Sequence, residues 1–290
     1  MKYIYKNEEN VDDLYRQLLG AARHVALQIV EAPPARMTGA AEYIYRVSLE
    51  LIAAVSPIHE WSDLRDMAVL SCIHRLVDVW PRLSRGEIDG EEALAGDLML
   101  WKRAMTEWPM GGFAKMSATF LIENHLLGGN VLELGAGVGS CGTLVAGHVG
   151  NGYIRTDIQP YLLKRQKMVG SVSQYDFNSP GVWRNIDTIF AVNALHCAKD
   201  KHTTLTYVRE MLRPGGVVVL GEGMPYTNVR GAPWPLNGFL GLFRGWWDVG
   251  GFVSRDTWLA NIEKAGFVNA GFARWLVGEH DLGGVIWAER

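Results

Sequence analysis

The chain has 290 residues, of which 48% are hydrophobic and 20% charged, with a formal net charge of −3. That length fits one large or two modest domains, and the composition is that of an ordinary globular protein. The slightly acidic balance argues against a general nucleic-acid or anionic-membrane binder. Cys72, Cys141 and Cys197 lie far apart and form no Cys-x-x-Cys or Cys/His cluster. This usage argues against a zinc site and fits a reducing cytoplasm. The N-terminal MKYIYKNEEN lacks the apolar core of a secretion signal, and no run reaches the length of a membrane-spanning helix.

Residues 1 to about 112 read as helical. Leu14, Leu18, Val25 and Ile29 repeat at helical spacing, and Pro33-Pro34 ends that helix. Further helices are predicted around 40–55, 61–80 and 91–107. Trp108-Pro109-Met110-Gly111-Gly112 is a breaker cluster. It sets the expected boundary between a helical N-terminal cap, 1–112, and a second domain, 113–290.

Beyond that point strands and helices alternate. A helix is predicted over 114–127, then strands at 131–134, 153–157, near 172–175 and at 187–192. A helix near 202–212 meets Arg213-Pro214-Gly215-Gly216, a turn that launches Val217-Val218-Val219-Leu220. A helix over 254–265 and strands near 267–274 and 283–289 complete the set. This alternation predicts an α/β fold: a doubly wound, Rossmann-like, mostly parallel sheet of seven strands with right-handed crossovers. Ligands of such a sheet gather at the carboxyl ends of its strands.

The first of these strands carries the main signal. Val131-Leu132-Glu133-Leu134-Gly135-Ala136-Gly137-Val138-Gly139-Ser140 reads as a buried strand ending in an acid, a glycine loop and the start of a helix. Glycines turn sharply and let backbone approach a ligand. The helix that follows presents free N–H groups. The spacing departs from the dinucleotide fingerprint, whose third glycine falls where Ser140 stands. A nucleoside-bearing cofactor is the expected ligand. Asp157 ends the second strand, 24 residues after Glu133, where a carboxylate can accept both hydroxyls of a ribose. Asp176 follows the third strand, placed to bond an adenine amino group, with Phe177 beside the ring.

Strand four runs into Asn193-Ala194-Leu195-His196 and strand five into Gly221-Glu222. Neighbouring strand ends lie roughly 4.8 Å apart, so a His and a Glu face one crevice. A carboxylate on one ring nitrogen fixes the tautomer and raises the basicity of the other, the arrangement of a general base and its orienter. Residues 225–252 are rich in Pro and aromatics, including Tyr226, Trp246 and Trp247. These are candidates for a substrate-facing roof that excludes water. Tyr15, Tyr43 and Tyr45 are expected as half-buried helix residues rather than pocket lining.

The glycine-loop spacing resembles motif I of the class I S-adenosylmethionine (SAM) methyltransferases. Tyr153-Ile154-Arg155-Thr156-Asp157-Ile158, Asn193-Ala194-Leu195-His196, Leu212-Arg213-Pro214-Gly215-Gly216, Glu222-Gly223, Gly245-Trp246-Trp247, Trp258 and Ala265-Gly266-Phe267 resemble the C-methyltransferase domains of polyketide synthases. The likeness covers roughly 130–275. It implies SAM as cofactor, held by Glu133, Gly135, Ala136, Gly137, Gly139, Asp157, Ile158, Asp176, Phe177 and Asn193. It implies catalysis by His196 and Glu222 on the α-carbon of a β-ketoacyl thioester, in natural-product biosynthesis. The expected partners are a small-molecule or carrier-bound acyl substrate, with no nucleic acid, membrane or metal, and with a homodimer left open. O-methylation of a hydroxyl or carboxylic acid is the alternative reaction, and SAM binding without turnover the alternative class.

Overall fold

The computed structural model describes residues 4–6, 11–35, 39–54, 67–88, 97–164, 169–224, 251–277 and 280–290. A short strand, β1 (Ile4–Lys6), precedes the helices α1 (Val11–Glu31), α2 (Gly39–Ala54), α3 (Ala68–Leu83), α4 (Leu98–Thr106) and α5 (Met110–Glu123). Then β2 (Val131–Leu134), α6 (Ser140–Val145), β3 (Tyr153–Asp157), α7 (Pro160–Lys164), β4 (Ser171–Gln174) and β5 (Ile186–Val192) alternate. A 3₁₀ turn (Leu195–Cys197) leads to α8 (Lys201–Met211), β6 (Leu212–Gly223), α9 (Arg255–Lys264), β7 (Val268–Val277) and β8 (His280–Glu289).

Three helices begin at a side-chain cap. Asp97, Asp200 and Ser254 cap α4, α8 and α9 by accepting from the backbone N–H three residues on. On α1, Leu18, Val25 and Ile29 are buried as their spacing requires. Tyr15 joins the same core, and Tyr43 and Tyr45 pack partly buried against it.

The sheet order is β1-β7-β8-β6-β5-β2-β3-β4. The seven expected strands are present, with β2 to β6 parallel and β8 antiparallel to both β6 and β7. The eighth, β1, corrects the reading of the N-terminal third as helical alone. It pairs with β7 in parallel, Ile4 opposite Arg274 and Lys6 opposite Leu276. Three residues are too few to show an alternating pattern in sequence.

Two glycines read as breakers serve close packing instead. Gly111 and Gly112 lie inside α5, which runs unbroken across position 112. A Cβ on Gly111 would stand 2.1 Å from the Thr106 carbonyl oxygen, and one on Gly112 would stand 2.2 Å from the Trp275 ring. Phe113 meets the same ring edge-on at 4.6 Å. The Arg213–Gly216 turn appears as an irregularity within β6. Leu212 pairs with Ile186 and Val217 with Thr188, so the intervening residues loop out.

Alternation along the strands gives each face its own core. Val131, Tyr153, Phe190 and Val219 face α5 and the other N-terminal helices. Leu132, Leu134, Ile189, Ala191, Val218 and Leu220 face the other way, with Leu205 and Val208 of α8 and Trp258 and Ile262 of α9. Among the described residues no helix is long and apolar enough to cross a membrane.

Candidate active site

The carboxyl ends of β2, β3 and β5 converge on a cavity of about 170 Å³. β2 connects to β3 on one side while β5 pairs on the other, which makes this the switch point of the sheet. Of the expected cofactor residues, Glu133, Gly135, Ala136, Gly137, Asp157, Ile158, Asp176, Phe177 and Asn193 line the cavity. Gly139 does not. It sits behind them at φ +82° as the N-cap of α6. His196 also lines the cavity, whereas Glu222 stands behind it.

The loop after β2 depends on glycine at two positions. Gly135 (φ +66°) and Gly137 (φ +53°) adopt left-handed backbone. A Cβ on Gly135 would collide with the Ala194 Cβ at 2.5 Å, while one on Gly137 would meet nothing closer than 3.8 Å. Gly137 thus keeps open space that a side chain would fill. Asp157 braces the loop. Its Oδ2 accepts from the Gly137 N–H and its Oδ1 from the Gln159 N–H, each at 2.8 Å. Burial raises its pKa, opposed by the backbone N–H groups of Gln159, Gly137 and Ile158. Three backbone donors against four acceptor positions leave one position open.

Glu133 is buried, and its Oε2 accepts from the Tyr153 hydroxyl at 2.5 Å. Burial pushes its carboxyl up to about 7, with Tyr153 and Arg155 pulling it down. Asp176 folds back on its own loop, its Oδ1 accepting from the backbone N–H and Nδ2 of Asn178 at 2.9 and 2.8 Å. Asn193 holds φ +47°, and its Oδ1 accepts from the Gly223 N–H at 3.2 Å, which ties the end of β5 to that of β6.

His196 and Glu222, 26 residues apart in sequence, meet. The imidazole Nδ1 lies 2.7 Å from Glu222 Oε2, with the side chains 1% and 0% exposed. Glu222 Oε1 accepts from the backbone N–H groups of Ala194, Leu195 and His196 at 3.2, 2.8 and 3.3 Å. Four donors facing two oxygens call for a carboxylate, which accepts at both. The Nδ1–H tautomer that serves Glu222 leaves Nε2 of the neutral ring as the acceptor nitrogen. Phe252 stacks on the ring at 4.2 Å between centroids.

Sequence reasoning missed the wall supplied by the N-terminal helices. Trp101 and Met105 of α4 and Met110 and Ala114 of α5 line the cavity. Ser140 donates to the Met105 carbonyl at 3.1 Å, joining that wall to the start of α6. No local signal separates these side chains from the core residues beside them. Tyr226, Trp246 and Trp247 lie outside the described residues. Among the described residues no group of three or more His, Cys, Asp or Glu side chains is placed to hold a metal ion.

The sheet order, with a glycine-loop cavity at its switch point, is the Rossmann-like fold of the methyltransferases. Residues 132–218 match a family model described as a methyltransferase domain. Among solved structures, the chain resembles the CurJ carbon methyltransferase, with a TM-score of 0.77 and 18% identity over 98% of this chain and 93% of that one. It also resembles the CalH trans-methyltransferase in complex with S-adenosylhomocysteine (SAH), at 0.72 and 17% over 98% and 92%. Among curated proteins it is 28% identical over 71% of its length to a highly reducing polyketide synthase, calA, of Penicillium decumbens. It is 30% identical over 48% of its length to the lovastatin nonaketide synthase of Aspergillus terreus. The chain spans only 8% and 5% of the length of those two relatives.

Proposed function

We propose that this chain methylates an activated carbon, the enolate of a β-keto or similar acyl substrate, free or carrier-bound, in polyketide-type biosynthesis. The observation that carries the reading is the buried His196–Glu222 pair, 2.7 Å apart, with the imidazole bordering the same cavity as the glycine loop. SAM, when bound, supplies an electrophilic methyl group on a sulfonium. The residues present fit it. Asp157 keeps an acceptor position for a ribose hydroxyl, Gly137 leaves room where a Cβ would stand, and Phe177 lines the cavity beside Asp176.

His196 takes the proton of the substrate α-carbon at Nε2, and Glu222 stabilises the imidazolium that forms. The helices within 1–112 act as a cap. The support for that role is the set of α4 and α5 side chains in the cavity wall, whose Trp101, Met105 and Met110 restrict water. The likeness to carbon methyltransferases favours carbon over oxygen as the acceptor.

The test uses acetoacetyl-N-acetylcysteamine, a small mimic of a carrier-bound β-ketoacyl thioester, with SAM. Wild type is expected to place the methyl on the α-carbon. His196→Ala is expected to lose about 10²–10⁴-fold in kcat while SAH affinity, read by calorimetry, holds. A His196→Ala variant with the wild-type rate overturns the base. It would favour methylation of a carboxylic acid, which is ionised at neutral pH and needs no base.

A further inference from the structure

The mechanism above uses the imidazole and Glu222 but not what holds the peptide on which the imidazole rides. Glu222 secures only its N–H side. The carbonyl of His196 accepts from Lys201 Nζ at 3.0 Å and from the Gly251 N–H at 2.6 Å. Lys201 is the first residue of α8, and its side chain reaches back across the 3₁₀ turn. Its ammonium also lies 5.8 Å from the centroid of the Trp258 ring, which is fully buried on α9. A half-buried ammonium is costly unless it gains partners. Here burial lowers its pKa and the charge of Glu222 raises it. A lysine kept only for solubility would extend its amine into water. This one directs it to a backbone carbonyl and an aromatic face, where the cation strengthens both contacts.

We infer that Lys201 is a positioning residue for the base: its ammonium, seated over Trp258, clamps the His196 carbonyl and so fixes the direction of the imidazole toward the cavity. The inference rests on the reading of His196 as base. Both peptide groups flanking the His196 Cα are then held, one by Glu222 and one by Lys201 with Gly251, and Phe252 limits rotation of the ring. Releasing one of these contacts lets the base drift, and a displacement of about 1 Å at a reacting group can cost about 100-fold in rate.

The test compares Lys201→Met, Lys201→Arg and His196→Ala in the full chain. It measures methyl transfer from SAM to acetoacetyl-N-acetylcysteamine, exchange of the substrate α-proton in D₂O with SAH present, and SAH affinity by calorimetry. Lys201→Met is expected to lose about 10–100-fold in kcat and in exchange, with KM and SAH affinity within about twofold. Lys201→Arg, which keeps a cation able to reach the carbonyl, is expected to recover most of the loss. Three results overturn the inference: wild-type kcat in Lys201→Met, loss of SAH affinity or of folding in step with activity, or no recovery in Lys201→Arg. If His196→Ala keeps wild-type exchange, the base itself is refuted and the inference falls with it. If His196→Ala is inactive while Lys201→Met is unimpaired, only the role of Lys201 is lost.

Discussion

Replacing Glu222 with glutamine tests the base and the fold in one variant. Glu222 receives Nδ1 of His196 and three backbone N–H groups, all in a fully buried place. Glutamine keeps a single oxygen. With that oxygen toward the backbone, its NH₂ faces Nδ1 and drives the ring proton to Nε2, the nitrogen that has to accept. With the oxygen toward His196, three N–H groups face a donor. Either way a buried hydrogen-bond arrangement is broken or forced to invert, at a cost of about 1–3 kcal/mol. At about 2 °C per kcal/mol for a chain of this size, the melting temperature falls by about 2–6 °C. The first orientation keeps the three backbone hydrogen bonds, and because its tautomer cannot accept the proton, kcat falls by about 10²–10⁴-fold. SAH affinity changes little, since Glu222 is not among the cavity-lining residues. Thermal melts, methyl-transfer kinetics and calorimetry on one preparation check all three. A Glu222→Gln protein with wild-type melting temperature and kcat would refute the reasoning.

Asp157→Ala removes the acceptor of the Gly137 and Gln159 N–H groups together with the proposed ribose contact. Its affinity for SAH should drop about 10–100-fold, corresponding to about 1.5–3 kcal/mol for a charge-assisted hydrogen bond; unchanged affinity by calorimetry counts against the assignment. Glu133 gives a pH signature, because burial raises its carboxyl from the ordinary 4.5 to about 7. The folded chain binds this proton more tightly than the unfolded one, so the contribution is complete below pH 4.5 and is lost as pH rises through about 7. Over about 2.5 pH units that amounts to roughly 3 kcal/mol. Glu133→Gln should therefore flatten the fall in melting temperature between about pH 5 and pH 8, and an equal fall in both proteins would refute it.

What could be read from the sequence divides along physical lines. The order of elements from β2 onward was legible, because period-2 and period-3.6 patterns alternate there and a parallel sheet constrains how they connect. The meeting of His196 with Glu222 was legible for the same reason: adjacent parallel strands bring their carboxyl ends together. Contacts made at a distance were hidden. β1 pairs with a strand about 270 residues away through three residues. Gly111 and Gly112 look like a break in sequence, and only the Thr106 carbonyl and the Trp275 ring explain why a helix carries them. Trp101 and Met105 carry no mark of the cavity in sequence, and Met110 stands in the breaker cluster, since whether an apolar side chain faces a cavity or a neighbour is decided by tertiary packing.

The two buried glutamates show how one sheet separates two tasks. Glu133 shares its face with Val131 and with Tyr153 and Arg155 of β3, the side covered by the N-terminal helices. Glu222 continues the row of Val218 and Leu220, the side covered by α8 and α9. The acid beside the glycine loop and the acid bonded to His196 thus stand on opposite faces. The cavity lies where the strands end and both faces become reachable. Each carboxylate is held by its own network: a tyrosine hydroxyl in one case, a turn of backbone amides and an imidazole in the other. Lys201 of α8, bonded to the His196 carbonyl, and Trp258 of α9 therefore belong to the face that holds Glu222, while the apolar wall of the cavity comes from α4 and α5.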